Sequence, residues 1–191
     1  HMVCYIQSTL EYRQVAWIGD GPENLEIKTF ADADFAGCLR TNRSTSGTCT
    51  FLVGPNTRYP ISACSKRQTA VSHSTPEAEM IAAAYALRAE SIPLMTLWDK
   101  ILGRGIILRF AEDNEAMIKM CRSGNLTKIR HFNRTHRVNC ASIAERFKDD
   151  PYIRLFPVPS EHQAADIYTK RVTDPNMWKR LLYLNNLVTP N

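Results

Sequence analysis

The sequence predicts one mixed β-sheet flanked by helices, and three observations point to it. Short runs rich in β-branched and aromatic residues crowd the first third of the chain, at roughly 25–35, 47–54 and 58–66. A long helical pattern runs from 74 to 102. Beyond it helix and strand alternate, giving the order β-β-β-α-β-α-α-β-α. Strands in series followed by alternation close as one layered domain, which suits 191 residues.

Taken in order, residues 3–20 mix a short helical pattern with a strand-like end. The second strand, GTCTFLVG, stops at the turn signal Gly54-Pro55-Asn56, and the polar loop GCLRTNRSTS separates it from the first. The three strands therefore read as an antiparallel meander. Ser74-Thr75-Pro76-Glu77 opens the long helix as a capping box, with Glu77 the partner of Ser74 and a proline tolerated in the first turn. Met80, Ala83, Leu87, Leu94, Trp98 and Leu102 recur as one apolar stripe. Pro93 inside it kinks or splits the helix, and Gly103 ends it. There follow a short apolar run, IILRFAED, a helical NEAMIKMCRSG and a basic helix over about 132–148. A final strand in PYIRLFPVP and a helical 161–186, broken near Asp174-Pro175, complete the chain.

Composition narrows the function classes. At 44% hydrophobic and 23% charged the chain can build a core, and no apolar run approaches the ~18 residues of a membrane span. Cys4, Cys38, Cys49, Cys64, Cys121 and Cys140 form no C-x-x-C pair, which argues against a zinc ribbon or a disulfide scaffold and for reduced thiols in an intracellular protein. No secretory pattern opens the chain, and His1-Met2 reads as a cloning scar, so a fragment of something longer is expected. The net charge of +5 is unevenly placed. Residues 119–137 hold Lys119, Arg122, Lys128, Arg130, Arg134 and Arg137 with His131, His136 and no acid, the pattern of a polyanion-binding face or of a plain solvated one.

The acids raise a sharper question. TFADADFAG, residues 29–37, ends a strand-like run with Asp32 and Asp34, although an ionised carboxylate is costly to bury without a partner. Two residues apart, both face one side, and alternation does not choose between them. Glu79 lies in the first turns of the long helix, where Glu77 falls closer to the apolar stripe. Asp113 follows IILRF, and Asp166 lies in the predicted helix after the last strand. Singly, such acids serve as caps or partners of helix dipoles. Together they are a donor set for a hard cation such as Mg²⁺, which needs carboxylates from different elements at one end of a sheet.

Six segments in order bear a resemblance: ADADFAG (31–37), RSTSG (43–47), ISACSKRQ (61–68), HSTPEAEM (73–80), EDN (112–114) and VPSEHQAADIYTK (158–170). They match SDADWAG, RSTSG, ISWSSKKQ, SSTEAEY, CDN and VP…QLADILTK. Over most of its length the chain resembles the ribonuclease H domain of copia-type LTR retrotransposon polyproteins, and YIQSTLEY at 5–12 is similar to the YLKGTLDY that precedes that domain. Pro76 departs from the pattern.

The resemblance implies a ribonuclease H-like α/β fold: a five-stranded mixed sheet, three antiparallel strands then two parallel, flanked by helices. It places the domain at 25–186, with 3–24 a connecting segment and 187–191 a tail. It implies a DEDD site of Asp32, Glu79, Asp113 and Asp166 holding two Mg²⁺ ions, with Mn²⁺ able to substitute. Asp34 is an auxiliary candidate; so is His162, because related enzymes place a histidine near the last aspartate to aid product release. The implied reaction is hydrolysis of the RNA strand of an RNA–DNA hybrid, leaving 3′-hydroxyl and 5′-phosphate ends. Ser74, Thr75 and Asn114 stand near the acids, with Lys66, Arg67 and Gln68 after the third strand. The block of Lys128, Arg130, Arg134 and Arg137 is expected to hold phosphates. No reverse-transcriptase signature of the aromatic-x-Asp-Asp kind is read in the chain, so that partner domain is expected upstream in the same polyprotein, within cytoplasmic retroelement particles. The competing classes are a non-cleaving module that holds hybrid or double-stranded RNA, another nuclease or transposase on the same fold, and a structural piece of a particle-forming polyprotein.

Overall fold

The structure is a computed structural model and describes residues 2–124 and 139–189. Helix α1 (Met2–Ser8) and the short strand β1 (Arg13–Gln14) lead into the meander β2 (Glu26–Asp34), β3 (Thr45–Gly54) and β4 (Thr57–Arg67). Helix α2 (Thr75–Tyr85) passes through a π-helical turn (Ala86–Ser91) into α3 (Ile92–Leu102). Then come β5 (Leu108–Glu112), α4 (Glu115–Ser123), α5 (Cys140–Asp149) and β6 (Ile153–Pro157). Two 3-10 turns (Ser160–His162 and Ala164–Tyr168), α6 (Pro175–Leu184) and the short strand β7 (Leu187–Val188) follow.

The sheet order is β4-β3-β2-β5-β6, antiparallel from β4 to β2 and parallel from β2 to β6. That is the predicted five-stranded mixed sheet. One face packs Ile27, Leu52, Leu108 and Phe110 beneath Met80, Leu87 and Ile143; the other packs Phe30, Phe51 and Ala111 beneath Ala164 and Ala165. α2 is buried all round rather than along one stripe: Ala78, Ala82, Ala83 and Ala84 let it lie close between the sheet and α4 and α5. The stripe describes α3, whose Leu94, Met95, Trp98 and Leu102 are only partly buried. Pro93 splits the long helix. It sits in the first turn of α3, just after the π-helical turn that separates α3 from α2.

Further expectations change. The capping box is displaced: Ser74 makes no side-chain cap bond, and the Glu77 carboxylate instead accepts from the backbone N–H of His73 at 2.7 Å. Of the basic helix expected over 132–148, residues 132–138 lie outside the described residues, and the described part is α5, which starts at Cys140 where Asn139 caps it by accepting from Ser142 N–H. The 161–186 helix is two 3-10 turns followed by α6: the Gln163 side chain accepts from Ala165 N–H and separates the turns, and Asp174 caps α6. Finally, Phe147-Lys148-Asp149-Asp150 does carry the aromatic-x-Asp-Asp spelling, but it closes α5, with Phe147 packed edge-on against Phe110. β1 pairs antiparallel with β7, a ladder that periodicity did not suggest.

Candidate active site

The parallel pairing of β2 with β5 decides where the acids meet. Asp32 lies near the C-terminal end of β2 and Asp113 directly follows β5, so both emerge at the same end of the sheet. α2 packs on β2 and brings in Glu79. A cleft of about 460 Å³ is lined by Asp32, Asp34, Thr75, Glu79, Asp113 and Asn114, with Lys170 at its wall. Pro76 is absorbed in the first turn of α2 without displacing Glu79 from it.

Asp166 joins through that lysine. The Lys170 ammonium lies 2.6 Å from Asp166 Oδ1 and 3.4 Å from Asp32 Oδ1. The Thr169 hydroxyl donates to Asp32, and the Gln163 amide donates to Ala31 O at 2.9 Å and to Asp113 Oδ1 at 3.3 Å. Gly47 makes this approach possible. It stands beside Asp32 on β3, and a Cβ there would lie 2.5 Å from Thr169 Cγ2 and 2.9 Å from Ala165 O.

The acids are buried and mutually repulsive. Burial, then the charges of Glu112, Asp32 and Asp113, push the Glu79 carboxyl up to about 11. Burial and Asp32 raise Asp166 to about 6 despite the hydrogen bond from Lys170, and the same two causes raise Asp34. Burial tends to lower the Lys170 ammonium, but Asp32 and Asp166 outweigh it and hold the charge on. Glu112 is fully buried on the helix-facing side of β5, where the resembled pattern has cysteine, and burial raises its carboxyl well above the usual range. One oxygen of Glu112 accepts from Asn114 N–H at 3.0 Å; the other, like Oε2 of Glu79, is buried without a hydrogen-bond partner.

Among the described residues no three His, Cys, Asp or Glu side chains stand in the arrangement of a formed metal centre. The donor chemistry nevertheless fits a hard divalent cation: oxygen ligands, excess negative charge and orphaned buried oxygens. Asp32, Glu79, Asp113 and Asp166 are the residues that would hold it.

The other sequence-predicted residues divide. Thr75 and Asn114 line the cleft, and Asn114 also caps α4 by accepting from Met117 N–H. Ser74 and His162 are exposed and do not line it. Gln68 is buried; its amide donates to Ser46 Oγ and Ala78 O and accepts from Ser72, so its role is in packing the β4–α2 connection. Lys66 and Arg67 line a separate cavity of about 240 Å³ with Tyr85 and Arg88. Lys128, Arg130, Arg134 and Arg137 lie outside the described residues. Thr169, Lys170, Gln163, Gly47 and Glu112 were missed as site residues. Their signal was present only in the ordered motifs, where Lys170 stands four residues after Asp166.

Strand order and direction, with acids at the C-terminal ends of adjacent parallel strands, make this a protein of the ribonuclease H-like fold. On its six ordered segments it resembles, within that fold, the ribonuclease H domain of copia-type retrotransposon polyproteins. No family model matches the chain. It is 50% identical over 60 residues to an uncharacterized mitochondrial protein of Arabidopsis thaliana, AtMg00810, a match covering 31% of this chain and 23% of that relative. The chain thus spans less than a quarter of the relative's length. Among solved structures it is similar to the N-terminal RNase H domain of Rv2228c from Mycobacterium tuberculosis, solved as a fusion with maltose binding protein, at 12% identity and TM-score 0.44 over 84% of this chain and 96% of that one. The foamy viral protease-reverse transcriptase in complex with dsDNA gives 13% and 0.42 over 80% and 96%, and the NurA nuclease from Sulfolobus solfataricus gives 8% and 0.39 over 94% and 62%. The fold assignment rests on the chain's own strand order and register.

Proposed function

We propose that this chain is a metal-dependent endoribonuclease that hydrolyses the RNA strand of RNA–DNA hybrids during retroelement reverse transcription. The observation that carries the reading is the meeting of Asp32, Glu79 and Asp113 in one cleft, with Asp166 tied to Asp32 through Lys170. Bound at these carboxylates, divalent ions would lower the pKa of a water and stabilise the departing 3′-oxygen.

The chain's own groups supply positioning and charge. Gln163 orients Asp113, Thr169 orients Asp32, and Lys170 compensates Asp32 and Asp166. Thr75 and Asn114, at the wall of the cleft, would meet sugar and phosphate, and Thr75 would sense the 2′-hydroxyl in the shallow minor groove. Lys66, Arg67 and the basic block 128–137 would hold more of the backbone. The unit that does this is 25–186, and its partner is an upstream reverse transcriptase of the same polyprotein. Among the described residues no helix is long and apolar enough to cross a membrane.

The test is cleavage of a labelled RNA–DNA hybrid with Mg²⁺ or Mn²⁺, beside an EDTA control and Asp113→Asn. Metal-dependent cutting of the RNA strand alone, lost in the variant, is the expected result. Hybrid binding without cutting under either metal would favour the non-cleaving module, and absence of binding would remove the substrate assignment.

A further inference from the structure

The sheet face opposite α2 carries a row of cations that the hydrolytic reading does not use. Lys28 on β2 is in register with Arg109 on β5, and Arg109 with Arg154 on β6. Strand alternation puts all three on the side of Phe30, Ala111 and Phe156. With neighbouring strands ~4.8 Å apart, the three charges fall in one line ~10 Å long. Like charges directly abreast destabilise a sheet. Among the described residues only Glu26 pairs with the row, 3.6 Å from Arg109.

The cations are held in place. Lys28 Nζ lies 4.8 Å from the Phe30 ring centroid and 5.4 Å from that of Phe156, and the Arg109 guanidinium lies 5.2 Å from Phe156. The row opens into a cleft of about 560 Å³, whose wall adds Arg58 and Arg104 against the acids Glu23 and Glu26. Arg58 donates to Asn186 and Leu184 O, and Arg104 to Pro22 O and Leu25 O, so neither is neutralised by an acid in these bonds.

We propose that this row is a second nucleic-acid contact, binding the phosphodiester backbone of a single strand without regard to sequence. The choice of a nucleic acid over an acidic protein rests on the hydrolase reading above. A single line of cations follows one backbone rather than two strands across a groove. The aromatic faces are already covered by the cations, so the contact is to phosphate and not by base stacking. The row is separate from the catalytic cleft: Asp32 lies four residues along β2 from Lys28, ~13 Å away, and Ala164 and Ala165 cover the sheet between them.

The test is binding of a labelled single-stranded oligonucleotide in EDTA across a salt series, for the wild-type chain, Arg109→Gln/Arg154→Gln and Arg154→Gln alone. The double variant is expected to bind several-fold more weakly. Its slope of log K against log salt should fall by about 1.4, at about 0.7 for each phosphate of a single strand that is no longer neutralised. Arg154→Gln should show half that change and melt no lower than wild type, since it relieves a like-charge pair; it carries the comparison if the double variant does not fold. Unchanged affinity and slope in a folded variant overturn the proposal, as does displacement of the oligonucleotide by polyglutamate at equal charge, which would assign the row to an acidic protein. Hybrid cleavage, measured separately, reports the hydrolase reading. A wild-type chain that cuts hybrid but binds no single strand overturns only the row, whereas row-dependent binding without cutting overturns only the hydrolase.

Discussion

Lys170 Nζ stands 2.6 Å from Asp166 Oδ1, and the same ammonium reaches Asp32 Oδ1 at 3.4 Å, so one lysine joins two acids that are 134 residues apart in sequence. It gives Asp32 and Asp166 a charge partner, which divalent ions at those carboxylates would also supply.

Lys170→Met removes that compensation. The metal-free variant is expected to melt lower than wild type at pH 7, because two buried carboxylates lose their ion pair. Saturating Mn²⁺ should then raise its melting temperature more than it raises that of wild type. A smaller metal-induced rise in the variant would show that Lys170 assists metal binding rather than standing in for the ion.

Asp113→Asn keeps the size of the side chain and a group that can accept from Gln163, while removing one carboxylate charge from the cleft. Hydrolysis of the hybrid is expected to fall by about 10²–10³-fold, in the range of losing one electrostatic stabiliser. Hybrid affinity measured without metal should stay within a factor of about two, since phosphate-binding cations set it. Comparable losses in both would mean that Asp113 acts through folding.

Glu112→Gln should stabilise the metal-free protein. Burial raises the Glu112 carboxyl in the fold above its ordinary value near 4.5, so the folded state binds more protons than the unfolded chain once the pH exceeds that value. This acid's contribution is therefore retained below the unfolded pKa and lost as pH rises toward the folded one. The amide keeps an acceptor for Asn114 N–H and carries no charge. The gain is expected to be about 1–4 kcal/mol at pH 8 and distinctly smaller at pH 4, read from urea unfolding at the two pH values. A gain independent of pH would show that packing, and not the charge, is responsible.

Gly47→Ala tests the approach of the 164–169 segment to β3. The new methyl would meet Thr169 Cγ2 and the Ala165 carbonyl inside contact distance, pushing away the hydroxyl that serves Asp32. A loss of roughly 1–3 kcal/mol is expected, the range for overpacking a filled site. The Mn²⁺-induced rise in melting temperature should fall with it. Unfolding in urea with and without metal checks both, and full stability would mean that the segment gives way freely.

The strands were readable because their composition and turn signals are local, as in GTCTFLVG ending at Gly54-Pro55-Asn56, and local preferences survive where the tertiary fold agrees with them. Glu79 could not be told from Glu77 by periodicity, because α2 is enclosed on all sides and both acids are buried. Asp166 was expected on a helix; its backbone is a 3-10 turn because Gln163, fully buried, caps that turn while bonding Ala31 and Asp113. Such a partner is not visible in a sequence.

The sequence by itself determined the order of the five main strands and the helices that follow them, and its ordered segments singled out the proposed site acids Asp32, Glu79, Asp113 and Asp166, since residue type, turn chemistry and motif order are properties of the chain alone. Only the tertiary structure decided that Lys170 and Thr169 serve Asp32, that Glu112 is a further buried acid, and that Lys28, Arg109 and Arg154 stand abreast. The physical reason is strand pairing: β2 lies beside β5 and β5 beside β6, and that register brings together charges that no local pattern relates.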